Sequence, residues 1–259
     1  MGPEALPFVN WIFWMGLGAG TALVMGATEL QGGTTRGYRL FMAWVLVAFA
    51  AVLLASELGM PESSFIDSTR GTRRLLVLAF GATSVIYLVA SHLGVPRGGL
   101  PLLGATIGML GLATLAAAGG TLSPLLFTVQ LVVAAIALGA VTAGMLLGHW
   151  YLVTPKLSPA PLRRMMWLLL VALLGQGLAF VVALVGVSGG PVDGPIAPLT
   201  WLRLAVGILL PIGITVLALL ASRAPSLQAT TGLLYIGLAF VAAGSIAGAS
   251  ITYLTGVPV

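Results

Sequence analysis

The sequence contains no cysteine. That absence excludes disulfides, iron–sulfur clusters, thiolate metal sites and thiol redox chemistry within the chain. Charge is nearly as scarce: 7% of the residues are Asp, Glu, Lys or Arg, against about a quarter in an ordinary soluble domain. Hydrolytic and group-transfer signatures are missing too. There is no H-E-x-x-H, no P-loop, no Asp-rich diphosphate site and no usable Ser-His-Asp order. The longest polar stretch, Gly59 to Arg74, is about one loop long, so no soluble domain is expected. No basic region precedes the first apolar run, and Glu4 stands there instead, so no cleavable signal peptide is expected.

What remains is apolar. Of 259 residues, 59% are hydrophobic, too many to be covered by polar groups in water; lipid is the solvent that suits such a chain. About 20 apolar residues cross the hydrocarbon core as a helix. Runs of that length, separated by Pro, Gly and charge clusters, predict an all-α integral membrane protein, a single domain over 1–259 with eight transmembrane helices. The spans are Val9–Leu30, Leu40–Met60, Leu75–Val95, Leu100–Gly120, Leu125–Val153, Met165–Val187, Leu202–Ser222 and Thr231–Thr255. The layout allows two four-helix bundles, although no internal sequence repeat is evident. Gly16-x-x-x-Gly20, Gly144-x-x-x-Gly148 and Gly244-x-x-x-Gly248 read as close-packing stripes. Pro211 should bend the seventh span. Trp11, Trp14, Trp150, Trp167 and Trp201 sit near span ends, where interface anchors sit.

The net charge of +5 is spread over short loops, so it reads as orientation and not as nucleic-acid binding. Loops after odd spans hold Arg36, Arg39, Arg97, Lys156, Arg163, Arg164 and Arg223, and the other side holds Arg70, Arg73, Arg74 and Arg203. Seven basic residues against four place both termini outside, in a multi-pass protein of the cell inner (plasma) membrane. The acidic residues agree: Glu4, Glu57, Glu62, Asp67 and Asp193 fall outside and Glu29 inside.

Ionisable residues within spans are costly, so each is a candidate site. Glu57 closes span two and Arg203 opens span seven, both on the outer side; Glu29 closes span one on the inner side. Asn10, Gln130 and Gln176 are neutral but polar. A carboxylate at a membrane boundary can carry protons to or from a quinone; the plainer reading of Glu57 is a headgroup-level charge paired with Arg203. His92 and His149 end two parallel spans on the inner side. Bis-histidine ligation of a haem b needs two imidazoles on different helices at one depth, and these two are the candidates. Two solvated interfacial histidines are the plainer alternative.

Several segments carry a family likeness. They are Trp11-Ile-Phe-Trp-Met-Gly-Leu-Gly-Ala-Gly20, Leu54-Ala-Ser-Glu57-Leu58-Gly59-Met60-Pro61 followed by Phe65, Trp201-Leu-Arg-Leu-Ala-Val-Gly207-Ile-Leu-Leu-Pro211, and Thr255-Gly256-Val-Pro258. In that order the chain resembles the NrfD/PsrC family, the membrane subunits of polysulfide-reductase-like complexes. The likeness covers about a third of the chain, mostly its two ends. The resemblance implies a membrane anchor subunit of a respiratory or electron-transfer complex that interacts with a membrane quinone, usually without its own haem. It implies other redox subunits as partners, including an iron–sulfur or cytochrome subunit, so that this chain is a non-catalytic or quinone-reactive part of an oxidoreductase. Glu57 matches the acidic position of the family's second-span motif, and Asn10 lies where polar quinone-site residues occur. Asn10, Glu57 and Arg203 are therefore the quinone-binding or proton-transfer candidates. The family's central-span tyrosine has no counterpart here, and neither does Gly148-His149-Trp150-Tyr151. Two other readings stand beside this one: a haem-b cytochrome using His92 and His149, and a non-redox transporter or structural membrane subunit.

Overall fold

Each apolar run of the sequence is a helix. The computed structural model describes residues 5–61, 67–95, 98–117, 123–154, 157–186, 194–224 and 226–257. Glu4, Glu62, Phe65, Arg97, Lys156, Asp193 and Pro258, and the span ends placed at Gly120 and Val187, lie outside the described residues. The helices are α1 (Ala5–Gln31), α2 (Arg36–Leu58), α3 (Arg70–His92), α4 (Gly99–Ala117), α5 (Pro124–Val153), α6 (Ala160–Gly186), α7 (Ala197–Leu204), α8 (Leu210–Ala221) and α9 (Gln228–Thr255). A π-helical turn, Ala205–Leu209, joins α7 to α8 in one continuous span. Among the described residues, eight spans are long and apolar enough to cross a membrane, and the protein is an all-α, multi-pass membrane protein.

The spans sit where the hydropathy places them, but six of the helices start three to five residues earlier. The reason is local. Arginine breaks an apolar run without breaking a helix, and its long stem can lie along the helix while the guanidinium reaches out. Arg36, Arg70, Arg163 and Arg164 therefore stand in first helical turns instead of in loops. Caps set some of these starts: Thr35 accepts from the Tyr38 N–H, and Ser123 accepts from the Leu126 N–H with Pro124 at the first helical position.

The helices form two four-membered rings. In the first, α1 packs on α2 and α4, and α3 closes the ring between them. In the second, α5 packs on α6 and α9, and α8 closes the ring. The two rings thus have the same neighbour order, and α5 enters from the same face as α1 because four spans return the chain to its starting side. Hereafter the upper face is the one where α1 begins and α9 ends. The seam between the rings is α1 against α5. A Cβ on Gly20 would lie 1.7 Å from the Ala135 carbonyl oxygen, and one on Gly139 would lie 1.9 Å from the Gly20 carbonyl carbon. Only glycine allows this backbone contact, and in lipid such close packing replaces the hydrophobic drive that water would supply. The second contact of this kind is Gly207 of the π turn against Gly244 of α9, where an added Cβ would fall 2.1 to 2.5 Å from the opposing Cα.

The expected bend at Pro211 takes the form of that π turn. Proline has no N–H to donate to the preceding turn, and the widened turn from Ala205 to Leu209 accommodates the loss. The outward faces are apolar: Leu75, Leu78, Val171, Leu178 and Val185 are exposed, the reverse of a soluble protein's surface. Trp167 and Trp201 are exposed as interface anchors would be, but Trp11 is completely buried and anchors nothing in lipid.

Candidate functional site

The polar side chains gather where helix ends meet. At the upper face α1 begins, α2 ends and α3 begins, so Asn10, Ser56, Glu57 and Arg73 come to one level although the chain separates them. Arg73 donates from Nε to Glu57 Oε2 at 2.7 Å and from Nη2 to Oε1 at 3.0 Å, a two-pronged match of planar guanidinium to planar carboxylate. Arg74 Nε adds a longer contact to Oε1 at 3.7 Å. Glu57 is 1% exposed and Arg73 is wholly buried. The Arg73 guanidinium also lies 5.7 Å from the centre of the Trp11 ring, within cation–π range. That contact explains why Trp11 is inside. Glu57 therefore faces neither headgroups nor an open cleft, and its partner is Arg73 and not Arg203. The last turn of α2 directs it inward toward the first turn of α3.

One residue away the surface opens. Asn10 Nδ2 donates to Ser56 Oγ at 2.7 Å, Ser56 Oγ donates to the Val52 carbonyl at 2.8 Å, and Trp14 Nε1 donates to Asn10 Oδ1 at 2.9 Å. This chain pins the Asn10 amide in one orientation while leaving it exposed. It lies in a groove of about 600 Å³ between α1 and α2, walled by Leu6, Pro7, Val52 and Ala55. The groove is of ligand size, open, and apolar apart from Asn10 and Ser56.

Arg203 belongs to a different place. It is 3% exposed and donates from Nη2 to Gln176 Oε1 on α6. Its guanidinium rests against Gly207 and Gly244. α1 stands between the two sites: Asn10, Trp11 and Trp14 lie on one side of that helix, and Ile12, Phe13 and Gly16 on the side toward Arg203. The structure thus brings Asn10 and Glu57 to one site and leaves Arg203 out of it. The second ring nonetheless repeats the pattern of the first. In each, an amide of the first helix donates to the second: Asn10 to Ser56, and Gln130 Nε2 to the Ala179 carbonyl at 2.7 Å. In each, a buried arginine of the third span donates to the second helix: Arg73 to Glu57, and Arg203 to Gln176. The first ring has a carboxylate where the second has an amide.

His92 and His149 are both exposed and are not brought together. The His92 ring meets Trp44 of α2 edge-on at 6.2 Å, whereas His149 meets Tyr235 of α9 edge-on, with the Tyr235 hydroxyl 3.2 Å from Nδ1. α3 packs chiefly on α2 and α4, and α5 on α1, α6 and α9, so the two rings attach to different neighbours. At the lower face Glu29 accepts a short hydrogen bond from the Tyr87 hydroxyl, with Arg39 Nε at 3.8 Å. Among the described residues no cluster of three or more His, Asp or Glu side chains has the arrangement to hold a metal ion.

Arg73, Ser56 and Trp11 are the site residues that sequence reasoning missed. Arg73 counts there only as an outer-side charge at a helix end. The available signal was its depth: it stands in the first turn of α3 just after Glu57 leaves the last turn of α2, across a short connection. Comparison with family models, with curated proteins and with solved structures finds no match to this chain.

Proposed function

We propose that this chain is the membrane anchor subunit of a respiratory or electron-transfer complex, and that a quinone headgroup docks in the α1–α2 groove. One observation carries the reading: a pinned, exposed amide in an open apolar groove, backed by a buried carboxylate–arginine pair. Quinone carbonyls need hydrogen-bond donors and quinol hydroxyls need acceptors, and an asparagine amide offers both. Beside the contacts to Ser56 and Trp14, the amide has a second N–H and a further lone pair on Oδ1 to offer. An isoprenoid tail would lie along the apolar groove and leave sideways into lipid. The Glu57–Arg73 pair fixes the ends of α2 and α3 behind Ser56. The resemblance of the first, second, seventh and eighth spans to the NrfD/PsrC family supports the same reading, with iron–sulfur or cytochrome partners providing the electron carriers that a cysteine-free chain lacks.

The test is Asn10→Leu, which keeps the volume and deletes both hydrogen-bonding functions. In the complex purified in mild detergent, quinone-linked electron transfer is expected to fall several-fold at sub-saturating quinone while the subunit composition is unchanged. Unaltered quinone kinetics in the assembled variant would remove the groove from the mechanism. Purification without any redox-active partner would remove the anchor role.

A further inference from the structure

A small cavity of about 30 Å³ lies where α1 and α4 of the first ring meet α5, α7 and α9, apart from the α1–α2 groove. Gln130, Arg203, Ser245 and Thr252 contribute its polar lining, and Gly16 and Leu138 part of its apolar wall. Arg203 and Gln130 each stand six residues into their helices, about 9 Å below the upper helix ends at 1.5 Å per residue. This is inside the hydrocarbon depth, where a polar atom without a partner is expensive.

Two such atoms face this space. Gln130 is 6% exposed; its Nε2 is committed to the Ala179 carbonyl, and its Oε1 has no protein partner. Ser245 is 8% exposed and its Oγ has no protein partner either. The Ser245 case is informative because its helix offers an easy alternative. On α9, Thr231, Ser250, Thr252 and Thr255 all fold back to donate to the carbonyl four residues earlier, as hydroxyls in apolar helices do. Ser245 makes no such bond.

We propose that this cavity is a water site within the membrane: one or two ordered water molecules bridge Gln130 Oε1 and Ser245 Oγ. The size fits, since a water needs about 10–15 Å³ on this measure and two to four polar partners, and the lining supplies an acceptor, a hydroxyl and a cation. An apolar occupant would leave the amide oxygen and the hydroxyl unsatisfied. The site parallels the Asn10 site, with Gln176 against its arginine where that one has Glu57. Because α1 separates the two, this proposal and the quinone reading stand or fall separately.

A density map of the protein in lipid nanodiscs, resolved finely enough to show ordered water, should contain a peak within hydrogen-bond distance of both Gln130 Oε1 and Ser245 Oγ. A thermal-unfolding comparison tests the same point by sign. If water bridges the two groups, Ser245→Ala strands it and lowers the unfolding midpoint relative to Ser250→Ala, the same change at a hydroxyl that bonds only its own helix. If the cavity is dry, Ser245→Ala deletes an orphan hydroxyl and its midpoint rises above that reference. A site without density, or that rise, overturns the proposal; should the variant fail to fold, the map alone decides.

Discussion

Replacing Glu57 by Gln leaves the Arg73 guanidinium fully buried and facing an amide that can accept only half of what the carboxylate accepted. The two hydrogen bonds at 2.7 and 3.0 Å hold a pair whose members are 1% and 0% exposed. Removing one partner of a buried pair costs about 3–5 kcal/mol, because the remaining charge keeps its desolvation penalty and loses its compensation. The cation–π contact to Trp11 is worth about 2 kcal/mol or more when desolvated, but it is already present in the parent protein and offsets none of the loss. Arg74, half exposed and 3.7 Å away, adds about 1 kcal/mol or less. On the size scaling of chains of roughly this length, a loss of about 3–5 kcal/mol lowers the unfolding midpoint by about 6–20 °C. The assay is thermal unfolding in mild detergent, followed by tryptophan fluorescence. Arg73→Met should cost a similar amount, and the charge-neutral double variant Glu57→Gln/Arg73→Met should recover most of the loss. Additive losses in the double variant, or a Glu57→Gln midpoint equal to the parent's, would refute the assignment of this pair as the clamp between α2 and α3.

The seam makes a sharper demand on volume. Gly139→Leu is expected to abolish folded protein, since the side chain would enter the Gly20 backbone at 1.9 Å, well beyond the overpacking that costs about 1–3 kcal/mol in adaptable cores. Gly213→Ala, with nothing within 4 Å, should be neutral or slightly stabilising through helix propensity; equal yields for the two variants would contradict the α1–α5 contact. His149→Ala removes one exposed contact to Tyr235 and should move the unfolding midpoint little, within about 1 kcal/mol, as a thermal melt would show. A topology reporter fused after Val259 should report the outer side, following the seven-to-four bias of basic residues; cytoplasmic activity would invert the orientation.

Much of the architecture is legible before any coordinates. Eight long apolar runs interrupted by Pro, Gly and Arg can only be membrane-spanning helices, because lipid offers no partner for an unpaired backbone group. The glycine spacings likewise announce packing faces: Gly16 and Gly20 meet α5, Gly144 and Gly148 meet α6 and α9, and Gly244 meets Gly207. Pro211 signals a local irregularity but not its form.

Partnerships are another matter. Glu57 and Arg203 lie on the same side in the sequence reading, and both are ionisable residues in a chain with few of them, so pairing them is natural. Hydropathy gives depth along the membrane normal and says nothing of position around the bundle. That second coordinate comes from which helices touch. The closure of α1–α4 into one ring turns Glu57 toward Arg73, and the closure of α5–α9 into another turns Arg203 toward Gln176. The same limit explains Trp11, whose place near a span end fits an interface anchor until α3 lays a guanidinium over it. It explains His92 and His149 as well, on one membrane side in the sequence reading but attached to Trp44 and Tyr235 on different helices. The sequence by itself determined the solvent, the number of spans and the level at which each polar group sits, since these follow from the transfer of single segments into lipid. Only the tertiary structure decided which polar groups meet, because that depends on how each helix is rotated about its axis, and rotation is set by close packing among all eight spans together.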